Sequence, residues 1–226
     1  MIYIKNKHQF FARWTHWVNF PILFVMIWSG LLIYWANGVY RIGFGNVTLF
    51  QFFPKTFYSI LNLNQRLAQG MAWHFYFMWF FAINGLIYVL FTLITGHWRE
   101  MIPTKRGFID ALLVTLHDLG LRKECPPQGK YNAAQQISYS AIIVMGAGSL
   151  VTGLAIYRPI QVRWLTSLLG GYEWARMEHF ALTIGYLLFF VVHIVQVARA
   201  GWNNFRSMVA GYEIVPTGKV TEVHGD

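Results

Sequence analysis

The sequence predicts an all-α integral membrane protein with four transmembrane helices. Of its 226 residues, 56% are hydrophobic and 12% are charged, whereas globular domains usually carry about 25% charged residues. Four apolar stretches are each long enough to cross the hydrocarbon core as a helix, at about 14–36, 71–95, 135–157 and 174–199. This pattern predicts one transmembrane domain over residues 1–212 and a polar C-terminal tail over residues 213–226.

The segments before and between the first two spans predict elements at the membrane surface. Residues 1–13 are polar and basic, which favours a short interfacial helix that leads into the first span. Pro21 lies near the start of that span, where a kink is tolerated. Residues 37–70 contain an aromatic run that Pro54 and Lys55 interrupt, so it predicts an interfacial element too short to cross the membrane.

The second half of the chain alternates a long polar connection with two further spans. Within residues 96–134, the stretch 107–121 has the amphipathic pattern of a helix that lies on the membrane surface. Gly146, Gly148 and Gly153 give the third span small residues that allow helices to pack closely. A short connection then leads to the fourth span.

The distribution of Lys and Arg predicts the orientation, because four spans leave both termini on one side. Twelve of the 18 cationic residues belong to that side: Lys5, Lys7, Arg13, Arg99, Lys105, Arg106, Arg122, Lys123, Lys130, Arg199, Arg206 and Lys219. The opposite loops hold the other six: Arg41, Lys55, Arg66, Arg158, Arg163 and Arg176. Positive charge accumulates on the cytoplasmic side, so we expect cytoplasmic termini in a multi-pass protein of a bacterial or archaeal-type inner membrane.

Two histidines in the fourth span predict the chemistry of the protein. His179 and His193 are fourteen residues apart in an apolar run. Fourteen helical residues rise about 21 Å and complete nearly four turns, so both imidazoles share a face at opposite depths of the membrane. Ionisable residues inside hydrocarbon are costly and usually functional. This spacing suits two haems, one near each membrane surface.

His16 opens the first span and His74 opens the second, so they provide the remaining ligands. In the predicted topology, His16 and His193 lie at the cytoplasmic level, whereas His74 and His179 lie at the outer level. We therefore expect two haem b groups between the helices, with the iron of each held by one of these pairs. The alternative for each histidine is packing or hydrogen bonding between helices.

Bis-histidine ligation favours electron transfer over oxygen binding, because two axial imidazoles complete the coordination of the iron. The chain has one cysteine, Cys125. A single cysteine excludes covalent haem attachment through Cys-x-x-Cys-His and an iron–sulfur cluster held by this chain alone. The formal charge of +9 flanks the apolar runs without forming one patch, which indicates lipid headgroups, with no nucleic acid partner.

Several segments together resemble the dihaem cytochrome b subunits of membrane-bound oxidoreductases. This family includes the gamma subunit of formate dehydrogenase and the cytochrome b subunits of thiosulfate reductase and nickel–iron hydrogenase. The similar segments are Arg13-x-x-His16-Trp17, 129–135, Val151-Thr152-Gly153 through Arg158-Pro159, and His179 with His193. The resemblance implies the same two haems and the same ligand pairs.

The resemblance also implies a quinone site, for menaquinone or ubiquinone, beside the cytoplasmic haem. The segment similar to residues 131–135 lines that site in the family, where a Gly stands in place of Ala134. The resemblance implies that Asn132 hydrogen-bonds a quinone carbonyl, that the Ala134 backbone approaches the ring, and that Gln135 lies beside them. A helix N-cap and a polar helix face are the other interpretation of Asn132 and Gln135.

Three arginines lie where haem propionates are expected, namely Arg13, Arg99 and Arg158. Each has an equally good interpretation as a surface charge that faces lipid phosphates. His97 either joins a quinone or proton path or packs at the interface with Trp98.

These observations predict a membrane-anchoring dihaem subunit that transfers electrons between the quinone pool and an outer-face redox partner. A molybdoenzyme, a hydrogenase or a multihaem cytochrome c could serve as that partner subunit. Two alternatives remain at this point. One is a self-contained transmembrane oxidoreductase that uses a diffusible electron donor, and the other is a haem-free transporter or assembly factor.

Overall fold

A computed structural model of the protein describes residues 2–36, 40–104, 106–118, 120–124 and 133–216. In this part of the chain, four helices are long and apolar enough to cross a membrane. They are α1 (Phe10–Tyr34), α3 (Leu67–Ile94), α6 (Ala133–Tyr157) and α8 (Tyr172–Ala210), with the short helices α2 (Lys55–Ile60), α4 (Trp98–Met101), α5 (Gly107–Asp118) and α7 (Arg163–Leu168) between them. The predicted all-α class with four candidate spans is confirmed.

The observed helices differ from the predicted spans mainly at their ends. The helices α1 and α3 each begin four residues earlier than expected, because the residues before each predicted span are mostly apolar as well and continue the helix. The helix α8 extends to Ala210, but Gly201 has a φ of 80° and interrupts it. Glycine adopts this conformation without steric cost. The kink lies just after the predicted end of the fourth span, and a separate helical segment follows it.

One compact unit comprises Phe10–Leu86. Its helices α1 and the first part of α3 are antiparallel, since Asn84 Nδ2 donates to the carbonyl of Thr15 at 3.2 Å while Gly70 lies against Leu32 and Ser29. The connection between them holds a hairpin of β2 (Arg41–Phe44) and β3 (Val47–Gln51), followed by α2. This connection was expected as an interfacial element, and its strands expose every residue to solvent or lipid.

A second compact unit comprises Met1–Gln9 and Ile87–Asp226. Its helices α6 and α8 pack against each other, and α7 covers one end of that pair through a buried cluster of Ala155, Leu165 and Ala175. The helix α5 confirms the predicted amphipathic segment: Ala111 and Val114 are buried, whereas Phe108, Ile109 and Leu112 are exposed. An exposed apolar face of this kind suits a helix at the membrane surface.

The ends of the chain form a two-stranded antiparallel sheet of β1 (Ile2–Asn6) and β4 (Tyr212–Pro216). Lys7 supports it through an ion pair with Glu213 at 2.8 Å. The expected interfacial helix over residues 1–13 is therefore wrong for its first half, and the predicted polar tail begins inside a strand. The physical reason is that each strand is stabilised by its distant partner.

Asn203 holds β4 against the last segment of α8, because its amide bonds both backbone groups of Ile214. Its Nδ2 donates to the Ile214 carbonyl at 2.9 Å, and its Oδ1 accepts from the Ile214 N–H at 3.0 Å. We expect Asn203→Ala to weaken this attachment by about 1–2 kcal/mol. Amide hydrogen exchange of residues 212–216 measures the loss. Trp202→Ala is the control, since the Trp202 side chain is exposed and its ring stacks on Phe205; equal exchange in both variants would contradict the assignment.

Candidate haem-ligand sites

His74 lies on α3, in the unit 10–86, and its imidazole is held by α1. Its Nδ1 is 3.0 Å from Ser29 Oγ. Ser29 is fully buried, and its hydroxyl donates to the Met26 carbonyl at 3.1 Å. A hydroxyl has one hydrogen. With that hydrogen directed at the Met26 carbonyl, the Nδ1–H tautomer of His74 is the one that satisfies both contacts of Ser29 Oγ.

His179 lies on α8, in the other unit, and α6 holds its imidazole in the same manner. Its Nδ1 is 2.9 Å from Thr152 Oγ1. The Thr152 hydroxyl is buried and donates to the Gly148 carbonyl at 2.7 Å. With the Thr152 hydrogen directed at that carbonyl, the Nδ1–H tautomer of His179 is the one that satisfies both contacts of Thr152 Oγ1.

These two imidazoles have the chemistry that a haem iron needs. A neutral imidazole with hydrogen on Nδ1 carries its lone pair on Nε2, and imidazole nitrogen is a common axial ligand of haem iron. Ligating histidines almost always donate their other ring N–H to a protein acceptor. The donor set at His74 and His179 therefore fits the cofactor predicted from the sequence.

His16 lies on α1 at the end opposite to His74. The residue before it, Thr15, accepts a hydrogen bond from Asn84. His74 contacts Ser29, thirteen residues beyond His16 on the same helix. Thirteen helical residues rise about 20 Å. His16 and His74 are therefore separated by about 20 Å along α1. This is close to the separation expected between a histidine at the cytoplasmic level and one at the outer level.

His193 lies on α8, fourteen residues after His179 and about 21 Å further along the helix. Its ring is stacked on Phe189, with ring centroids 5.7 Å apart and an angle of 8° between the planes. The His16 ring is nearly perpendicular to that of Trp17, with ring centroids 5.1 Å apart. Each unit therefore carries one histidine held by a hydroxyl and one packed against an aromatic ring, and within a unit the two are far apart.

The three candidate propionate partners each have their guanidinium beside an aromatic ring. Arg13 lies over Phe10 at 5.7 Å from its centroid, and Arg99 lies over Trp98 at 5.5 Å. Arg158 lies over Tyr157 at 4.6 Å. Stacking of this kind fixes the direction of a planar guanidinium. Their role toward propionates stays a prediction.

The residues predicted to line a quinone site fall at the start of α6. Ala134 and Gln135 lie in its first turn, whereas Asn132 lies outside the described residues. The next residue, Gln136, donates to the carbonyl of Glu100 at 3.1 Å. The carboxylate of Glu100 is 3.1 Å from His97 Nδ1. This end of α6 therefore has a titratable pair close by.

Sequence reasoning did not identify Ser29 or the hydroxyl of Thr152 as supports of the imidazoles. A small hydroxyl residue followed by glycine occurs in both apolar runs, as Ser29-Gly30 and Thr152-Gly153. That dipeptide was the available signal. It becomes informative only when the opposing helix is known.

Comparisons with known proteins identify the family of the chain. A family model described as prokaryotic cytochrome b561 matches residues 7–211. A protein of Azospira oryzae named "Putative protein-methionine-sulfoxide reductase subunit YedZ1" is 30% identical over 197 residues, which cover 84% of this chain and 89% of that protein. The resemblance to cytochrome b subunits of oxidoreductases is thus confirmed. The chain belongs to the prokaryotic cytochrome b561 family, as a multi-pass haem b protein of electron transport in the cytoplasmic membrane.

Proposed function

We propose that this chain is a dihaem subunit that anchors an oxidoreductase to the membrane and carries electrons between quinone and an outer-face partner. The observation that carries the proposal is that each unit holds two imidazoles about 20 Å apart along its helices. His16 and His193 would hold the cytoplasmic haem, and His74 and His179 the outer haem. A bis-imidazole haem iron exchanges one electron at a time without binding oxygen.

The orientation is supported by both ends of the chain. Pairing of β1 with β4 brings the segments before α1 and after α8 together, which supports termini on the same side. The excess of Lys and Arg favours the cytoplasm for that side. Arg13, Arg99 and Arg158 would neutralise propionates at the levels of their nearest ligands, because their charge and forked geometry suit carboxylates.

A quinone site at the cytoplasmic level is supported by the chemistry near the start of α6. Asn132 and Gln135 would hydrogen-bond the quinone carbonyls, and the backbone at Ala134 would lie against the ring. Quinone reduction and oxidation also require protons. The side chains of His97 and Glu100 are both partly exposed, and the Glu100 carbonyl accepts a hydrogen bond from Gln136. This pair would exchange protons between water and the quinone site.

The name of the relative describes that protein as a subunit of a reductase, which supports a partner subunit for this chain. We place that partner on the outer face, beside the outer haem. The partner of this chain would be a molybdoenzyme, a hydrogenase or a multihaem cytochrome c. Electrons would pass through the His16/His193 haem and the His74/His179 haem on the way between quinone and that subunit.

Sealed membrane vesicles of known orientation test this function. We expect a quinol to reduce both haems, and a membrane-impermeant oxidant to reoxidise them only from the outer face. We expect Asn132→Leu and Gln135→Leu to slow reduction by quinol about tenfold, which corresponds to the loss of one hydrogen bond. Reduction by dithionite is the control and should be unchanged. A quinol that reduces neither haem, or oxidation from the cytoplasmic face alone, would refute the proposal.

A further inference from the structure

The same local arrangement occurs twice, once in each compact unit. In both, a hydroxyl residue and the glycine after it face one imidazole from the next spanning helix of that unit. The Oγ–Nδ1 distances are 3.0 Å for Ser29 and His74 and 2.9 Å for Thr152 and His179. A Cβ added at Gly30 would lie 3.6 Å from Cε1 of His74, and one added at Gly153 would lie 3.4 Å from Cε1 of His179.

The agreement extends to the ring orientation. The added Cβ atoms would lie 3.9 Å from His74 Nδ1 and 3.8 Å from His179 Nδ1. In both units, the distances from the added Cβ to Cε1 and Nδ1 and the hydroxyl–Nδ1 distance agree closely. The imidazole therefore lies in a similar way against Ser29-Gly30 and against Thr152-Gly153. Because the two placements use different helices in different units, packing of a single interface does not explain both.

Each hydroxyl is also fixed by its own helix. Ser29 donates to the carbonyl three residues earlier, and Thr152 donates to the carbonyl four residues earlier. A hydroxyl that donates to a carbonyl becomes a stronger acceptor. Both side chains are at least 96% buried, so water does not compete effectively for the Nδ1–H.

We propose that Ser29 and Thr152 are positioning residues that fix His74 and His179 in the Nδ1–H tautomer. They thereby lower the midpoint potential of the haem that these two histidines ligate. This inference rests on the ligand roles given under the proposed function. The hydroxyls act through the imidazoles, and Gly30 and Gly153 leave room for the rings beside them. The rings of His16 and His193 lie beside those of Trp17 and Phe189.

The direction of the effect follows from the hydrogen bond. Donation from Nδ1–H places more electron density on the imidazole and makes Nε2 a stronger donor. A stronger donor stabilises ferric iron relative to ferrous iron, and the midpoint potential falls. Removal of either acceptor is therefore expected to raise the potential of the outer haem and leave that of the cytoplasmic haem unchanged.

Redox titration of the purified full-length holoprotein tests the inference with Ser29→Ala and Thr152→Val. Matched controls are Ser207→Ala and Thr92→Val. Ser207 is fully buried and bonds the Asn204 carbonyl three residues earlier, as Ser29 does with Met26. Thr92 is 3% exposed and bonds the Tyr88 carbonyl four residues earlier, as Thr152 does with Gly148. We expect an upward shift in the first two variants and none in the controls.

A conservative exchange separates hydrogen bonding from packing. Thr152→Ser keeps the hydroxyl and removes the methyl group, whereas Thr152→Val keeps the shape and removes the hydroxyl. We expect Thr152→Ser to retain the parental potential and the parental low-spin ferric spectrum. Equal shifts in the two variants, or no shift in Thr152→Val with full haem content, would overturn the inference. Haem loss in Thr152→Val with full retention in Thr152→Ser would still support the hydroxyl as the positioning group.

The outcomes also separate this inference from the proposed function. If Ser29→Ala and Thr152→Val shift different haems, the pairing of His74 with His179 is wrong and the role of the hydroxyls stands. If the potentials are unchanged while the histidine variants lose haem, the ligands are right and the inference falls. A parent protein without haem at these histidines would refute both.

Discussion

Alanine at His74 or at His179 is expected to remove the same haem, and alanine at His16 or at His193 is expected to remove the other. Neither haem is attached covalently to the protein, because a single cysteine cannot form a Cys-x-x-Cys-His attachment. Loss of one axial imidazole leaves the iron with one protein ligand. Such a haem is expected to dissociate during purification in detergent, so the haem-to-protein ratio should fall by half, from two to one.

Reduced-minus-oxidised spectra and haem quantitation check this result on the four single variants. The remaining haem should have one spectrum in the His74→Ala and His179→Ala proteins and a different one in the other two. His117→Ala on α5 is the control and should retain both haems. If His74→Ala and His16→Ala lose the same haem, the predicted pairing is wrong. If the four variants keep full haem, the ligands lie elsewhere.

The four spans could be predicted because length and hydropathy are local properties. A stretch of about 20 apolar residues has few alternatives to a membrane helix, and the observed helices contain all but the outermost ends of the predicted spans. The prediction that the histidines are ligands rests on a related argument. A titratable ring within hydrocarbon is costly, so its position in the sequence already indicates a function.

The strands β1 and β4 could not be predicted from their own residues. Lys7 and Glu213, whose ion pair joins the two segments, are 206 positions apart in sequence. Within the described part of the chain, β1 and β4 pair only with each other. A two-stranded sheet is marginal without further support. Here the support comes from Asn203, whose amide acts as an additional backbone partner for Ile214.

The contacts of Ser29 and Thr152 could not be predicted because they depend on how neighbouring helices are rotated and how closely they approach. Both residues occur in spans with other small side chains, and hydropathy does not distinguish them. The resemblance drew attention to Thr152-Gly153 as a segment. The partner of Ser29 became apparent only when α3 placed His74 against it.

Gly70 is expected to be essential for the contact between Ser29 and His74. A Cβ at this position would lie 2.7 Å from the Cβ of Leu32, 3.0 Å from the Ser29 carbonyl oxygen and 3.1 Å from the Ile33 nitrogen. These atoms belong to the backbone of α1 or lie next to it, so no flexible side chain can move aside. We therefore expect Gly70→Ala to destabilise the protein by about 2–3 kcal/mol, at the upper end for an overpacked core position.

Thermal unfolding in detergent measures this loss, and Gly85→Ala on the same helix is the control. A Cβ at Gly85 would meet nothing within 4 Å, so alanine there should stabilise the helix by about 0.5–1 kcal/mol. Gly70 and His74 are four residues apart on one face of α3. Displacement of α1 by the new methyl group must therefore also move Ser29 away from His74. Gly70→Ala should consequently raise the potential of the outer haem or release it, together with the loss of stability. Equal stability of the two variants would show that α1 and α3 do not approach this closely in the membrane.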